Sequence, residues 1–382
     1  MIYPLLPVFL AGVLGTSSTF IGAIEGAAET TASLLKLVSG WWSDRMKSRK
    51  PFVVIGYLIA SIARPFTAAA RSATQVLAIR VTDRIGKGLR TSPRDALLAD
   101  SAPPDARGLA YGFHAAADNA GAVLGPLLAF FILRLHGVGM LDTTKRLSAH
   151  DELAMRNVFW LSAIPAAIAV LILIVVVRDV PRRDNQPGGA AAVLDPERLS
   201  RKFWAYLTVV LLFTLGNSTD AFLLLRANQL GVPVALAPIL WAVLNFVKSA
   251  TGTYGGQLSD RIGRKPLIIG GWLLYAAVYF AFAWAGAPWQ AWALFAIYGI
   301  FYGMTEGTEK ALVADIVPRA RRGSAFGWYN LAIGLGALPA SLIFGWIWDR
   351  HGAPSAFVFG ASLALVAAVL MAIVAPSPTA TK

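Results

Sequence analysis

Charged residues interrupt several long apolar segments of the chain, where an ionised side chain is costly unless it is paired or hydrated. In the segment 17–42, Glu25, Glu29 and Lys36 share one face, because spacings of four and seven residues return to the same side of a helix. Glu25 and Glu29 lie one turn apart, so their like charges repel and one of them would hold a proton. Lys36 lies two turns from Glu29, too far for direct contact without a third partner. These residue types predict proton exchange and charge compensation in an apolar environment.

A basic stripe runs along the fourth apolar segment, within about a quarter of the helix circumference at about 100° per residue. The stripe consists of Arg80, Arg84, Lys87 and Arg94, and the charges that flank it are Asp83, Arg90 and Asp95. The excess of positive charge favours an anionic or zwitterionic ligand. A static network of ion pairs that holds helices together is the alternative interpretation.

The second half of the chain carries fewer polar groups of this kind. Its candidates for contact with substrate or protons are Asn217, Asp220, Lys248, Glu306 and Glu309. In the first half, Asp118 adds a further candidate in the fifth apolar segment.

The composition indicates that these groups lie within a membrane. Of 382 residues, 56% are hydrophobic and 14% are charged, whereas soluble domains are about a quarter charged. The net charge of +13 does not predict nucleic-acid binding, because the basic residues cluster in short turns, as the positive-inside rule expects. The expected partners are the lipid bilayer, a small-molecule substrate and protons. Four scattered histidines without any cysteine predict no enzyme, no cofactor and no metal site.

Apolar runs long enough to span a bilayer alternate with the charged turns. A short apolar stub occupies 1–14, and the runs fall near 17–42, 51–70, 72–92, 108–133, 157–177, 203–228, 233–255, 266–286, 289–312, 323–348 and 354–375.

Two stretches of the chain recur in its second half. The charged turn 40–51 recurs as 256–266 at an offset of 216 residues, and 99–112 recurs as 314–327 at an offset of 215. A repeat of this length indicates two homologous halves. We expect them at 1–178 and 203–376, joined by a cytoplasmic linker at 179–202.

The repeat also predicts two local features. The charged stretch 80–95 aligns with a segment that opens as a plain apolar helix at 295–303, so we expect a helix here rather than a loop, ended or bent at Ser92-Pro93. Met1 aligns with Asn217, and the apolar lead-in 203–216 has no counterpart in the first half. We therefore expect about half of the first helix to be missing.

The repeated turn resembles the signature Gly-x-Leu-x-Asp-Arg-x-Gly-Arg-Lys, which lies between the second and third helices of the major facilitator superfamily. The second copy matches it throughout, and the first departs at Trp42 and Lys47-Ser48. The resemblance implies an all-α membrane protein of twelve transmembrane helices in two pseudo-symmetric six-helix bundles. It also implies a cytoplasmic gate that includes Gly40, Asp44, Arg45, Gly256, Asp260, Arg261 and Arg264.

The fifth segment resembles the signature of the proton-coupled antiporters of that superfamily, although Ala129-Phe130 replaces the closing Gly-Gly. The matching residues are Gly112, Gly121, Gly125 and Pro126. Simple packing of small residues between helices is the alternative. Arg80 stands where the superfamily often has the arginine of Arg-x-x-Gln-Gly-x-Gly, which implies a role in proton coupling for Arg80 alone.

These patterns predict a secondary active transporter that works by alternating access. Proton-driven efflux of a small anionic or zwitterionic organic molecule is the first expectation, and uptake of an organic anion with protons is the alternative. A non-transporting sensor or assembly protein is a remote third. The chain has no Gly-x-x-x-x-Gly-Lys-[Ser/Thr] loop to bind a nucleotide. We expect a monomer in a prokaryotic plasma (inner) membrane, with the linker and the C-terminus in the cytoplasm.

Overall fold

The computed structural model describes residues 2, 5–16, 18–138, 148–179, 199–233 and 236–374. In these residues the regular secondary structure is helical and no strand is present, which confirms the all-α class. Most of the linker predicted at 179–202 lies outside the described residues, so the boundaries of the two halves stay predictions.

The first half contributes the helices α1 (Leu6–Gly12), α2 (Ser18–Ser43), α3 (Lys50–Ala63), α4 (Ala73–Ser101), α5 (Arg107–Leu135), α6 (Ala149–Leu161) and α7 (Ala163–Val175). A 3₁₀ helix, Arg64–Ala69, continues α3, and another, Pro104–Ala106, leads into α5. Phe9 of α1 packs edge-to-face on Phe159 of α6, with ring centroids 5.3 Å apart.

The second half contributes α8 (Arg201–Gly216), α9 (Ala221–Gln229), α10 (Ala237–Ile262), α11 (Arg264–Trp284), α12 (Pro288–Ile316) and α13 (Arg322–Val374). The last of these covers two of the predicted spans. Gly352 separates them, because its φ of 83° is not helical. This left-handed backbone conformation favours glycine, which has no Cβ to clash. A 3₁₀ helix, Arg319–Arg321, leads into α13.

The charged fourth segment is a helix, as the repeat predicts. α4 continues through Pro93 to Ser101, so the helix does not end at Ser92-Pro93, and the alternative of a bend there stays a prediction. Glycines bring α4 close to its neighbours: a methyl group on Gly86 would meet the Gly56 carbonyl oxygen of α3 at 2.5 Å, and one on Gly88 would meet Leu35 of α2 at 2.5 Å. The side chains of 80–95 are therefore held on a helix that packs tightly against α2 and α3.

The span expected at 203–228 is broken into two helices. α8 ends at Gly216 and α9 begins at Ala221, and the residues between them favour turns because their side chains bond to nearby backbone. The Tyr275 hydroxyl donates to the Gly216 carbonyl at 2.9 Å, which satisfies one carbonyl that the break exposes. The break places Asn217 and Asp220 within an apolar stretch, where irregular backbone is tolerated only inside protein or beside water.

Six stretches of the described residues are long and apolar enough to cross a membrane: Lys50–Ala69, Pro104–Leu135, Ala149–Val175, Arg201–Gln229, Arg264–Trp284 and Arg319–Ile373. The long helices that do not qualify are α2, α4, α10 and α12. Under the repeat, α2 corresponds to α10 and α4 to α12. The two halves therefore place their polar residues on equivalent helices.

The chain divides into two compact units. Unit 1 comprises Met1–Leu97 with Val123–Ala190, and unit 2 comprises Leu98–Ala122 with Ala191–Lys382. Unit 2 thus contains the last residues of α4 and the first part of α5, although both helices belong to the first half of the repeat.

One arginine in each unit donates hydrogen bonds to backbone carbonyls at the end of a helix, and the two sets of carbonyls occupy corresponding positions of the repeat. In unit 1, Arg156 of α6 donates to the carbonyls of residues 68 and 70, the latter at 2.9 Å. In unit 2, Arg226 of α9 donates to the carbonyls of residues 282, 283 and 285 at 3.1, 3.4 and 2.9 Å. Positions 68 and 70 align with 283 and 285 at offset 215. A guanidinium therefore satisfies the last carbonyls of a helix in each unit.

Arg226→Ala is expected to destabilise the protein by about 1.5–3 kcal/mol, since hydrogen bonds from a charged donor are lost and carbonyls are left without a partner. The midpoint of thermal unfolding in detergent measures this loss. Arg226→Lys is the matched control, and it should recover only part of the stability because an ammonium lacks the planar fork of a guanidinium. A midpoint unchanged in Arg226→Ala would contradict the proposed cap.

Candidate functional site

In unit 1, three cations surround one carboxylate. Lys87 Nζ lies 3.3 Å from Glu29 Oε1, Arg84 Nε lies 3.5 Å from Oε2, and Lys36 Nζ lies 3.9 Å from Oε1. The Glu29 side chain is 49% exposed, whereas those of Lys36 and Arg84 are 10% and 13% exposed. The expectation that Lys36 cannot reach Glu29 is wrong, because both long side chains extend along the roughly 10 Å that separate them on the helix.

A second carboxylate of α4 is deeply buried and tightly paired. Asp83 accepts from Arg64 Nε at 2.7 Å and from Arg80 Nη1 at 3.4 Å. Its side chain is 1% exposed. Arg64 was not among the residues expected from the sequence, because it follows the apolar run of α3 with no pattern that marks it. The Arg80 side chain contacts the acid on its own helix, three residues away.

The C-terminal part of the basic stripe packs around a tyrosine. The Arg90 guanidinium lies 3.9 Å from the centroid of the Tyr57 ring, and Arg94 donates to the Tyr57 hydroxyl at 3.4 Å. Arg94 also pairs with the buried Asp95 at 3.3 Å. Stacking of cations on an aromatic face offsets part of their desolvation.

Cations outnumber acids among the described side chains of this cluster. The cations are Lys36, Arg64, Arg80, Arg84, Lys87, Arg90 and Arg94, and the acids are Glu29, Asp83 and Asp95. The side chain of Glu25 lies outside the described residues. Even with Glu25 counted as ionised, three positive charges are in excess. This surplus lies on α2, on α4 and on the 3₁₀ helix that continues α3.

In unit 2, the break between α8 and α9 carries a buried ion pair. Asp220 accepts from the Tyr298 hydroxyl at 2.9 Å, and its other oxygen lies 3.9 Å from Lys248 Nζ. The Lys248 ammonium lies 3.4 Å from the centroid of the Tyr302 ring. Asn217 is half-buried at the same break and accepts from Tyr275 at 3.5 Å. The sequence-predicted residues Asn217, Asp220 and Lys248 therefore lie on a polar site walled by tyrosines.

Glu309 of α12 is bound by neutral donors from two other helices. Trp272 Nε1 of α11 donates to Oε1 at 2.9 Å, and the Tyr329 hydroxyl of α13 donates to Oε2 at 2.7 Å. Glu309 is 8% exposed, and no lysine or arginine among the described residues forms an ion pair with it. Its carboxylate therefore joins three helices. The expected Glu306 is half-buried on the same helix.

Both copies of the charged turn form the same ion pair, despite the extra residue in the first copy. Asp44 pairs with Arg49 at 2.7 Å, and Asp260 forms the equivalent close pair with Arg264. In the second copy α10 ends at Ile262 and α11 begins at Arg264, with only Gly263 between them at a φ of 96°. The first copy has no glycine there and connects its helices through 44–49 instead. Arg45 is exposed with its guanidinium 3.6 Å from the Trp41 ring, and Arg261 is exposed.

Asp260 also holds the start of α5. It accepts from the backbone N–H groups of Gly108 and Leu109 at 2.9 and 2.7 Å. These groups belong to the first turn of the helix, which has no partners of its own for them, and a negative charge is favourable there. The contact requires glycine, because a methyl group on Gly256 or Gly108 would collide with the backbone of the other.

Next to this contact, unit 2 contains two ion pairs exchanged between the repeat copies. Asp100 accepts from Arg322 at 2.6 Å, and Asp315 accepts from Arg107 at 2.7 Å. Each arginine also reaches the carbonyl one residue before its acid, at 3.2 and 3.5 Å. Asp100 aligns with Asp315 and Arg107 aligns with Arg322, so the two pairs are reciprocal. The repeat in the sequence identified the two aspartates and the two arginines as equivalent positions. It did not predict which aspartate pairs with which arginine.

Comparison with known proteins now decides the family. The family description "Major Facilitator Superfamily" matches residues 1–308 and 227–382. The chain belongs to this superfamily of transporters. An uncharacterised MFS-type transporter of Methanocaldococcus jannaschii is 30% identical over 378 residues, 97% of this chain and 89% of that protein.

Other members of the superfamily share the fold or part of the sequence. The Escherichia coli fucose:proton symporter FucP has a TM-score of 0.80 at 13% identity, with 98% of this chain and 94% of that chain covered. The multidrug resistance protein MdtH of Yersinia enterocolitica is 29% identical over 126 residues, 32% of this chain and 31% of that protein. These findings establish a multi-pass integral membrane protein with the all-α superfamily fold.

The fifth-segment glycines expected from the antiporter signature differ in their surroundings. A methyl group on Gly112 would collide with the backbone of Gly252 in α10. Gly121 faces open space, and Gly125 and Pro126 are half-buried within α5. Of the two motif glycines in unit 2, Gly112 and Gly121, Gly112 alone lies in close contact with another helix. Asp118, one turn beyond His114, is exposed and lies 3.5 Å from it.

Proposed function

We propose that this member of the superfamily is a proton-coupled transporter of a small anionic or zwitterionic organic molecule. The observation that supports it is the surplus of positive charge on α2, on α4 and on the 3₁₀ helix that continues α3, which persists with Glu25 counted as ionised. Buried cations are costly in an apolar environment, so an anion that binds among them gains more than it would in water. Carboxylates in both units, including Glu29 and Asp220, provide groups that exchange protons.

Two observations bear on the direction of transport, and they favour opposite answers. The antiporter-like fifth segment and the similarity of about a third of the chain to a multidrug resistance protein favour export in exchange for protons. The arrangement of cations around Glu29 favours uptake together with protons, because an anion that occupies the cations leaves the carboxylate to be neutralised by a proton. In both cases the substrate crosses by alternating access of the two halves.

Flux through proteoliposomes tests this proposal. The full-length protein is reconstituted, and labelled carboxylates, phosphate monoesters and amino acids that raise its unfolding temperature are supplied under an imposed pH gradient. Movement of an anion that depends on the gradient is the expected result. Movement against the proton flow identifies exchange, and movement with it identifies symport. Flux that ignores the gradient, or no flux of any stabilising compound, would overturn the proposal.

A further inference from the structure

We propose that Lys36, Arg84 and Lys87 form the binding site for the anionic group of the substrate, and that Glu29 is a resident counter-anion which the substrate displaces. The inference rests on the proposed transport of an anion and adds the residues and the sense of coupling. The chemistry recognised is a carboxylate or a tetrahedral oxyanion such as a phosphate group, because either presents several oxygens to guanidinium and ammonium donors.

Distances around Glu29 show that it is held loosely. Its contacts with the three cations range from 3.3 to 3.9 Å, whereas a direct hydrogen bond between charged groups is about 2.7–2.9 Å long. The neighbouring pair of Asp83 with Arg64 reaches 2.7 Å, so the same region does form tight pairs. An anion that approaches the cations more closely than Glu29 does would replace weaker contacts by stronger ones.

The side-chain exposures show that Glu29, rather than any of the cations, is the accessible member of this cluster. The Glu29 side chain is 49% exposed, and those of Lys36, Arg84 and Lys87 are 10%, 13% and 33% exposed. The carboxylate therefore lies on the open side of the site, with the cations behind it. Displacement of the carboxylate therefore requires movement of the exposed Glu29 side chain rather than of the more buried cations.

Displacement couples the anion to a proton. The charged groups that face Glu29 are Lys36 on its own helix and Arg84 and Lys87 on α4; the side chain of Glu25, one turn earlier, lies outside the described residues. When an anion takes these cations, Glu29 loses the charges that stabilise its ionised form within an apolar segment. A proton from water then neutralises it. Anion and proton are thus bound together, which is the sense of a symporter.

Proton uptake by the purified protein tests this coupling without any membrane gradient. Sulfate and succinate serve as tetrahedral and carboxylate probes, because both are fully ionised at pH 7, and a pH-indicating dye in weak buffer reports protons. We expect the wild-type protein to take up protons when it binds one of the probes. Glu29→Gln is expected to bind that probe about tenfold more tightly, since a competing charge is removed, and to take up no proton.

Three further variants separate this role from a structural one. Glu29→Asp keeps the charge and should retain proton uptake, and Lys87→Gln should weaken binding. Glu152→Gln is the matched control: Glu152 is 37% exposed and pairs with Arg156 at 2.8 Å in the same unit, so its loss should leave probe binding unchanged. If Glu29→Gln is poorly folded without anion, restoration of its unfolding temperature by the probe still supports the site.

Several results would overturn the inference. These are proton release on binding, binding to wild type without proton uptake, equal affinity in Glu29→Gln and wild type, and no probe binding to Glu29→Gln. This test can fail independently of the proposed function. If the protein binds the anion with proton uptake but shows no flux in proteoliposomes, the inferred binding site stands and the proposed transport is rejected.

Discussion

Asp100→Asn is expected to destabilise the folded protein by about 3–5 kcal/mol, the usual cost of removing one partner from a buried ion pair. Asp100 is 3% exposed and Arg322 is 8% exposed, with 2.6 Å between their charged atoms. The substitution leaves the Arg322 guanidinium next to a neutral amide in a region from which water is largely excluded. The free energy of unfolding is measured by denaturant titration in mixed micelles for the wild type, Asp100→Asn, Arg322→Gln and the double variant. The double-mutant cycle then gives the coupling energy between Asp100 and Arg322.

The reciprocal geometry makes this prediction specific. The cycle for Asp315 and Arg107 should also give a favourable coupling energy, but a smaller one, because Asp315 is 24% exposed and water screens a more exposed pair. The cycle for Asp100 and Arg107, which form no ion pair with each other, is the control and should give a weaker coupling than either reciprocal pair. Strong coupling within a copy, together with weak coupling between copies, would refute the exchange of partners.

The contacts of unit 2 join the second charged turn to the start of α5. Asp260 accepts from the first turn of α5, and Arg264 bridges Asp260 and Asp315, the latter at 3.1 Å. The second charged turn, the start of α5 and the Asp315–Arg107 pair therefore form one hydrogen-bonded network. The cytoplasmic gate that the resemblance implies at Asp260 and Arg264 stays a prediction.

The sequence predicted the elements of this fold better than their contacts. The repeat identified α4 as a helix although its residues are strongly polar, because the aligned apolar segment in the second half must adopt the same structure. The spacing of Glu29 and Lys36 predicted one shared face of α2, and their charged atoms lie 3.9 Å apart. It did not predict the reach of Lys36, because a periodic pattern locates Cα atoms and ignores side chains that extend along the helix.

The sequence could not predict which acidic and basic residues form ion pairs with each other. Arg64 pairs with Asp83, and Asp100 pairs with Arg322 rather than with Arg107. Each of these pairs joins residues from different helices, so the contact depends on packing that no local pattern encodes. The break at Asn217–Asp220 was also missed, since an apolar run of normal length surrounds it. Its run of Asn, Ser, Thr and Asp was the available signal, because these side chains compete with helical hydrogen bonds.

Glu309→Ala is expected to be the most damaging single substitution in unit 2. It removes the acceptor for Trp272 of α11 and for Tyr329 of α13, both of which are buried. Each donor left without a partner costs about 1–3 kcal/mol, and the cavity adds to this loss. We expect a large fall in the unfolding temperature and little folded protein. A variant as stable as wild type would show that water replaces the carboxylate.

Glu309→Gln separates this structural role from the proton coupling that the sequence predicted for the same residue. The amide oxygen can accept from Trp272 while the amide nitrogen donates to the Tyr329 hydroxyl oxygen, so we expect a smaller loss of stability than in Glu309→Ala. Because both partners are neutral and join helices, we expect the folded variant to retain pH-dependent flux per molecule. Glu309→Asp, which retains a titratable group but shortens the side chain, is the comparison. If Gln abolishes the pH dependence while Asp preserves it, Glu309 carries a transported proton and the structural interpretation is insufficient.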